Sequence, residues 1–323
     1  MLEGQDKLIP IDHAVWVGYC FFREFRVGRF RVCARPLFFI LCLESASRLS
    51  ATLLPDIIRR PAHLNRETIT LDSQDRAVAY LSAAMPVSMG DWWFDVATSD
   101  HFWIRRRFDV MRRLANATVA NAKRVAEIGC GNGLLQRDIE DNYGIPVAGF
   151  ELNEIALQKN VSRISPLYCY NIHQRNPEFR GHFDLLLLFD VLEHIEDEDA
   201  FLQSVKFHLA ESGTLLINVP AYQFFFSDYD RAAGHIRRYS IGQLAKVAEQ
   251  NGLKANAFTY WGLPLVPLLL LRKTMSMQRS NGKAGLDTRG NTMNALLGLL
   301  ARAEPLPQRF LGTSVMAVLG NQS

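Results

Sequence analysis

The residues best suited to chemistry lie in a few short stretches. The first is Val125-Ala126-Glu127-Ile128-Gly129-Cys130-Gly131-Asn132-Gly133, an apolar run that enters a turn with three alternate glycines and is followed by a helical pattern. Glycines permit such a turn and let a ligand approach the backbone closely. A helix N-terminus behind the turn adds unpaired N–H groups and a positive dipole end. Alone, the turn is equally a structural bend. Glu151, at the end of the next strand, sharpens it, because a carboxylate there can accept both hydroxyls of a ribose. Nicotinamide enzymes share that acid, so the discrimination comes from the turn itself. It lacks G-x-G-x-x-G spacing and puts Glu127 two residues before its first glycine. A carboxylate there would repel a pyrophosphate but help hold the ammonium group of a sulfonium-bearing amino acid.

Two further stretches could act on a second substrate. Asp190 ends the strand Phe183 to Phe189, and His194 follows just beyond it in Leu192-Glu193-His194. Asp190 reads either as a crevice-facing acid or as a helix cap, and His194 either as a base or as a structural cap. The segment Ser227 to Ser240 combines Asp228, Tyr229, Asp230, Arg231, His235, Arg237, Arg238 and Tyr239. His235 could be a base or orient the acceptor, and Arg237 or Arg238 could grip a carboxylate or phosphate. The bland alternative pairs these arginines with Asp228 and Asp230. The cysteines show no disulfide or metal-knuckle spacing, and no metal is expected.

The elements that must position these groups alternate regularly. Strands are expected at Lys123–Ile128, Val147–Glu151, Leu167–Tyr170, Phe183–Phe189 and Thr214–Val219, with helices at Leu134–Tyr143, from Asn153, and at Asp197–Leu209 with a stop near Gly213. Four consecutive leucines mark the fourth strand as buried on both faces. Such βαβ repetition describes an α/β, doubly wound, mostly parallel sheet. A helix over 101–118 carries the stripe Ile104, Phe108, Met111 and Ala115, with its arginines reaching solvent. Ser240 and Gln243 form a capping-box pattern, and strands at Ala255–Tyr260 and Thr313–Leu319 finish the sheet. Residues 1–98 form an N-terminal extension, with short helices expected at 48–60 and within 69–85. Residues 99–261 and 313–323 form the core, and 262–312 a helical insertion or lid.

The segments EIGCGNG at Glu127–Gly133, Phe150-Glu151 and FDLLLLFDVLEHIED at Phe183–Asp197 resemble the class I S-adenosylmethionine-dependent methyltransferases, in particular the branch with the ubiquinone-biosynthesis O-methyltransferases. The resemblance implies a Rossmann-like, seven-stranded fold and S-adenosylmethionine as cofactor. It implies that Glu127, Gly129, Cys130, Gly131, Asn132 and Gly133 surround the methionine part and that Glu151 holds the ribose. Asn171 and Ile172 would flank adenine, with Asn171 where the family commonly has Asp. Asp190 would face the cofactor or substrate, and Trp103, in His101-Phe102-Trp103, would cover the cofactor. The segment Gly-His-Ile-Arg-Arg-Tyr at 234–239 is similar to one in many members of unassigned acceptor. His194, His235, Arg238 and Tyr239 are the catalytic candidates.

The chain is 48% hydrophobic and 21% charged, which excludes a mainly disordered protein, and its net charge of +3 gives no reason to expect nucleic acid. Its longest apolar runs, Leu37–Leu43 and Trp261–Leu271, are far short of the roughly 20 residues of a membrane span. Five cysteines without a framework fit a cytoplasmic protein. The leucine-rich segment from Trp261, with seven basic and two acidic residues to the end of the chain, reads either as a solvated basic face on a helical subdomain or as peripheral membrane contact through 262–290 with a hydrophobic or lipid-linked acceptor. Alternatives are a soluble or macromolecular acceptor, or a regulatory binder of S-adenosylmethionine without turnover.

Overall fold

A computed structural model of the protein describes residues 69–71, 76–88, 93–276 and 291–322, all within the compact unit Ile57–Ser323. The helix expected at 48–60 lies outside the described residues. In chain order the strands are β1 (Ile69–Leu71), β2 (Ala77–Tyr80), β3 (Val125–Ile128), β4 (Val147–Glu151), β5 (Leu167–Cys169), β6 (Phe183–Phe189), β7 (Leu209–Pro220), β8 (Leu253–Trp261) and β9 (Ser314–Asn321). The helices are α1 (Trp93–Val96), α2 (Phe102–Asn121), α3 (Leu134–Tyr143), α4 (Glu154–Gln158), α5 (Glu198–His208), α6 (Asp228–Ala232), α7 (Ile241–Gln250), α8 (Val266–Ser276) and α9 (Asn291–Arg302).

The sheet runs β1-β2-β5-β4-β3-β6-β7-β9-β8. It is parallel from β2 through β7, and β9 is antiparallel to both β7 and β8. The seven strands expected are therefore extended to nine by β1 and β2. Strand periodicity divides the leucine run of β6 between two cores. Leu186 and Leu188 pack with Phe150, Ile217 and Ala317 on one face, while Leu185 and Leu187 pack with Met111, Leu216 and Met316 on the other. Each such fully buried side chain contributes roughly 1.5–3 kcal/mol.

Several local expectations are corrected. Among the described residues no helix forms within 69–85: Ala77–Tyr80 instead pairs parallel with β5, burying Val78 against Leu157 and Leu167. A four-residue strand, one in from the sheet's edge, carries too little periodicity to be read from sequence. The helix expected over Asp197–Leu209 runs from Glu198 to His208, with Asp197 and Leu209 as its caps, and Leu209 already pairs with Phe183 in the sheet. The arginines of α2 do not all reach solvent: Arg106 is 3% exposed and bonds Glu304 through Nε and Nη2, at 3.2 and 2.8 Å. Glu304 also accepts from the amides of Gly262 and Leu263, so one buried carboxylate ties α2 to the start of the 262–312 segment. That segment contains helices α8 and α9; residues 277–290 lie outside the described residues.

Candidate active site

The carboxyl ends of β3, β4 and β6 open into one cavity of about 660 Å³, lined at one end by Gly129, Gly131, Glu127 and Glu151 and at the other by Glu193, His194, His235 and Arg238. This size falls within the roughly 300–1,000 Å³ of small-molecule sites. Of the expected site residues, Trp103, Glu127, Gly129, Cys130, Gly131, Asn132, Glu151, Asn171, Ile172, Asp190, His194, His235 and Arg238 all line it.

All three glycines of the turn have positive φ: 71° at Gly129, 53° at Gly131 and 76° at Gly133. Their reasons differ. A Cβ on Gly129 would lie 2.5 Å from Val191 Cγ2, and one on Gly133 2.4 Å from the Asn160 amide, so those two are packed shut by protein. On Gly131 the nearest atom would be Phe94 Cε1 at 3.5 Å, so this position keeps room for a ligand. Gly133 does not line the cavity; it is the N-cap of α3.

Three carboxylates sit side by side and are neutralised differently. Glu151 accepts from the amides of Gly131 (2.9 Å), Leu152 (2.7 Å) and Asn153 (2.9 Å). Burial raises its pKa and these bonds oppose the rise. With about four acceptor sites on a carboxylate, this geometry leaves room for one ribose hydroxyl rather than the two expected. Asp190 holds a left-handed backbone, φ 58°, and is bonded by Arg107 Nη1 (2.5 Å) and Asn218 Nδ2 (2.6 Å). Asn218 Oδ1 in turn accepts from Trp261 Nε1, and Trp261 packs on Trp103 at 4.3 Å between ring centroids. Trp103 is thus both a core aromatic and a cavity wall. Glu127 is 3% exposed, and its Oε2 has no partner among the described residues. Burial pushes its pKa up to about 8, with Arg107 pulling against the shift and Glu151 adding to it.

At the far end Asp230 organises the loop. It accepts from Ser227, from His235 Nδ1 (2.9 Å) and from Arg238 Nε (2.8 Å). Burial opposes its charge, but His235 and Arg238 outweigh burial and hold its pKa at about 2. Arg238 is accordingly committed to Asp230 and Ala221 O, and Arg231 to Asp228, as the bland reading had it. Arg237 bonds Glu198. Tyr239 does not fit a catalytic role: it is 3% exposed, lies off the cavity, and donates to Glu198 Oε2 at 2.7 Å. Burial and that carboxylate raise its pKa, so it stays a neutral phenol. His194 has Nδ1 at 3.0 Å from Gly234 O and 2.8 Å from Ser88 Oγ, and burial, then His235, lowers its pKa to about 4. Asn171 Oδ1 caps the turn at His173, leaving its NH₂ for a ligand.

Sequence reasoning missed Arg107 and Glu193. A signal existed for both: Arg107 is four residues after Trp103, on the same helical face, and Glu193 follows Asp190 by three and adjoins His194.

A methyltransferase-domain family matches residues 99–257. Solved structures with similar folds include a SAM-dependent methyltransferase from Archaeoglobus fulgidus (14% identity, 67% of this chain and 94% of that one, TM-score 0.44). Another is the putative methyltransferase in complex with the Trm112 activator from Haloferax volcanii (12%, 72% and 97%, 0.47). A third is phosphoethanolamine N-methyltransferase 2 of Haemonchus contortus with S-adenosyl-L-methionine (14%, 72% and 58%, 0.45). No curated protein matches the chain.

Proposed function

We propose that the chain, an S-adenosylmethionine-dependent methyltransferase whose residues 99–257 match a methyltransferase-domain family, methylates a hydroxyl group on a hydrophobic small molecule. The observation carrying this is the shape of the cavity. It joins the glycine turn to the Glu193–His194–His235 cluster and has apolar walls that include Met85, Phe201, Leu265, Leu268 and Leu269.

The residues present suit the cofactor. Glu127, buried with an oxygen lacking a protein partner, is placed to take an ammonium group, and Glu151 retains one acceptor site for a ribose hydroxyl. Asn171 would offer its NH₂ and Ile172 its side chain to the adenine. Bound there, S-adenosylmethionine supplies a methyl already electrophilic on sulfur. The chain's own work is alignment, exclusion of water and handling of the acceptor's proton. His235 is prepared for that work. Ionised Asp230 can only accept, so Nδ1 of His235 donates to it and Nε2 keeps its lone pair. Asp190, locked by Arg107 and Asn218, shapes the boundary between the two halves.

We extend this reading to delivery from a membrane surface. Leu296, Leu299 and Leu300 form an exposed face of α9, and Leu270 and Leu271 are exposed on α8 near Lys273. No described helix is long and apolar enough to cross a membrane, so contact would be superficial. Incubation with S-adenosylmethionine and either lipid or aqueous extract tests the acceptor class. S-adenosylhomocysteine release and a product heavier by one methylene are expected from the lipid fraction; a methylated product arising solely from the aqueous fraction would refute it. Flotation with anionic phospholipid vesicles tests the surface: recovery should fall severalfold in L271E/L299E, and equal recovery would remove the membrane from the proposal.

A further inference from the structure

The polar end of the cavity contains a ligand set that methyl transfer by itself does not explain. Glu193, His194 and His235 each offer a donor atom, and these atoms lie within 4.8 Å of one another. We propose that the three side chains hold a divalent first-row transition cation, with its remaining coordination positions open to the cavity. The proposal rests on the reading that the acceptor's hydroxyl lies at this end, and names what receives it.

The buried carboxylate makes the strongest case. Glu193 is 0% exposed, and neither of its oxygens has a hydrogen-bond partner among the described residues. A carboxylate so placed needs either protonation or a cation. The nearest guanidinium does not serve: Arg238 directs Nε and Nη2 to Asp230 and Nη1 to Ala221 O.

The imidazoles are oriented as ligands. The carbonyl of Gly234 can only accept, so Nδ1 of His194 donates to it. Asp230 takes the Nδ1 proton of His235 and is itself fixed by Ser227 and Arg238. Both histidines therefore carry their lone pair on Nε2. A second tier of carbonyl and carboxylate acceptors behind ligating histidines is how metal sites fix the tautomer. The rings stand nearly perpendicular, at 82°, with centroids 4.9 Å apart, so their edges converge rather than stack.

The spacing suits the ion. Metal–ligand distances near 2.1 Å allow donors to be up to about 4.2 Å apart. His235 Nε2 and Glu193 Oε1 are 3.9 Å apart, and the widest separation, up to 4.8 Å, closes with a shift of about half an ångström. Two imidazoles and one carboxylate favour Zn²⁺, Mn²⁺, Fe²⁺ or Co²⁺ over Mg²⁺ or Ca²⁺, which prefer oxygen. Three protein ligands leave a position for an acceptor oxygen. As a Lewis acid the cation would lower that hydroxyl's pKa and hold it deprotonated, its proton leaving to water. His235 would then serve as a ligand in place of a base.

Cobalt(II) is the probe. Chelator-treated full-length protein titrated with Co²⁺ should develop visible d–d bands that saturate at one equivalent. In E193Q, H194Q and H235Q the bands should vanish or the apparent affinity fall at least tenfold, while calorimetric affinity for S-adenosylhomocysteine, the control for folding, stays within threefold. Absence of bands in the wild type, or undiminished bands in E193Q/H235Q, would overturn the site. Turnover of a lipid extract by chelator-treated protein that binds no Co²⁺ would also overturn it, yet leave the acceptor reading standing. Bands without turnover of any lipid extract would support the cation site while sinking that reading.

Discussion

The pH dependence of cofactor binding follows from Glu127. In the free protein burial pushes its carboxyl up to about 8, so near pH 7 roughly nine-tenths of the molecules carry it protonated and uncharged. The form that binds an ammonium is the carboxylate. The proton must leave when the amino-acid end of the ligand arrives, and the sign follows: affinity rises with pH as long as Glu127 is mostly protonated. Below its pKa the gain is about tenfold per pH unit, so S-adenosylhomocysteine should bind about tenfold more tightly at pH 7 than at pH 6. The rise ends near pH 8, where Glu127 is itself half ionised before any ligand arrives. At pH 7 the binding reaction should release about 0.9 proton, all of it from Glu127, because the ligand's α-ammonium is already protonated there. Calorimetry in two buffers of different ionisation enthalpy measures that number directly. 5′-Methylthioadenosine, which shares the adenosine and thioether but has no amino-acid end, should bind with little pH dependence, and E127Q should bind S-adenosylhomocysteine weakly and without the slope. Equal slopes for both ligands, or a slope retained in E127Q, would refute the assignment of the ammonium to Glu127.

Three other perturbations test the scaffold. E304A should cost about 3–5 kcal/mol in urea unfolding, because it strands Arg106 in the core, whereas R106M/E304L should recover much of it; equal loss in both would show that packing, not charge, governs the site. Asp230, held near 2 against an ordinary 3.8, contributes stability that is fully present above about pH 4 and is lost as pH falls toward 2. The amount is about 2 kcal/mol, and D230N should flatten the wild-type loss over that acid window in denaturant titrations. G129A should lower the melting temperature through both its φ of 71° and its clash with Val191, costing at least the 1–2 kcal/mol of left-handed backbone, and adding V191A should return the clash but not the backbone share.

Much of the core was legible because its signals are local. The leucine run of β6, the capping box at Ser240 and Gln243, and the bounds of α3 and β4 follow from propensity and periodicity within a few residues. What escaped depends on contacts distant in the chain. Arg106 reads as solvated in a run of three arginines until Glu304, 198 residues away, is seen to pair with it. Tyr239 sits in a dense polar segment, but its hydroxyl is turned to Glu198 on the far side of the loop. Ala77–Tyr80 becomes a strand only because the edge of β5 is there to receive it.

The three strand-end acids also explain why so polar a crevice can accept a cation at two separate places. Bringing Glu127, Glu151 and Asp190 together would cost far too much if all were bare. Glu151 is neutralised by three amides and Asp190 by a guanidinium that is itself steered by α2, which leaves Glu127 as the one acid of the three whose charge awaits a ligand. Glu193 repeats that condition beyond Val191, surrounded by imidazoles rather than amides. An ammonium needs a charge and hydrogen-bond acceptors, whereas a first-row transition cation is suited by imidazole nitrogens that turn their lone pairs on it. The two unsatisfied carboxylates therefore select different cations by what stands next to them. Asp190, held by Arg107 and Asn218, acts on both carboxylates and favours the protonated form of each until its cation arrives.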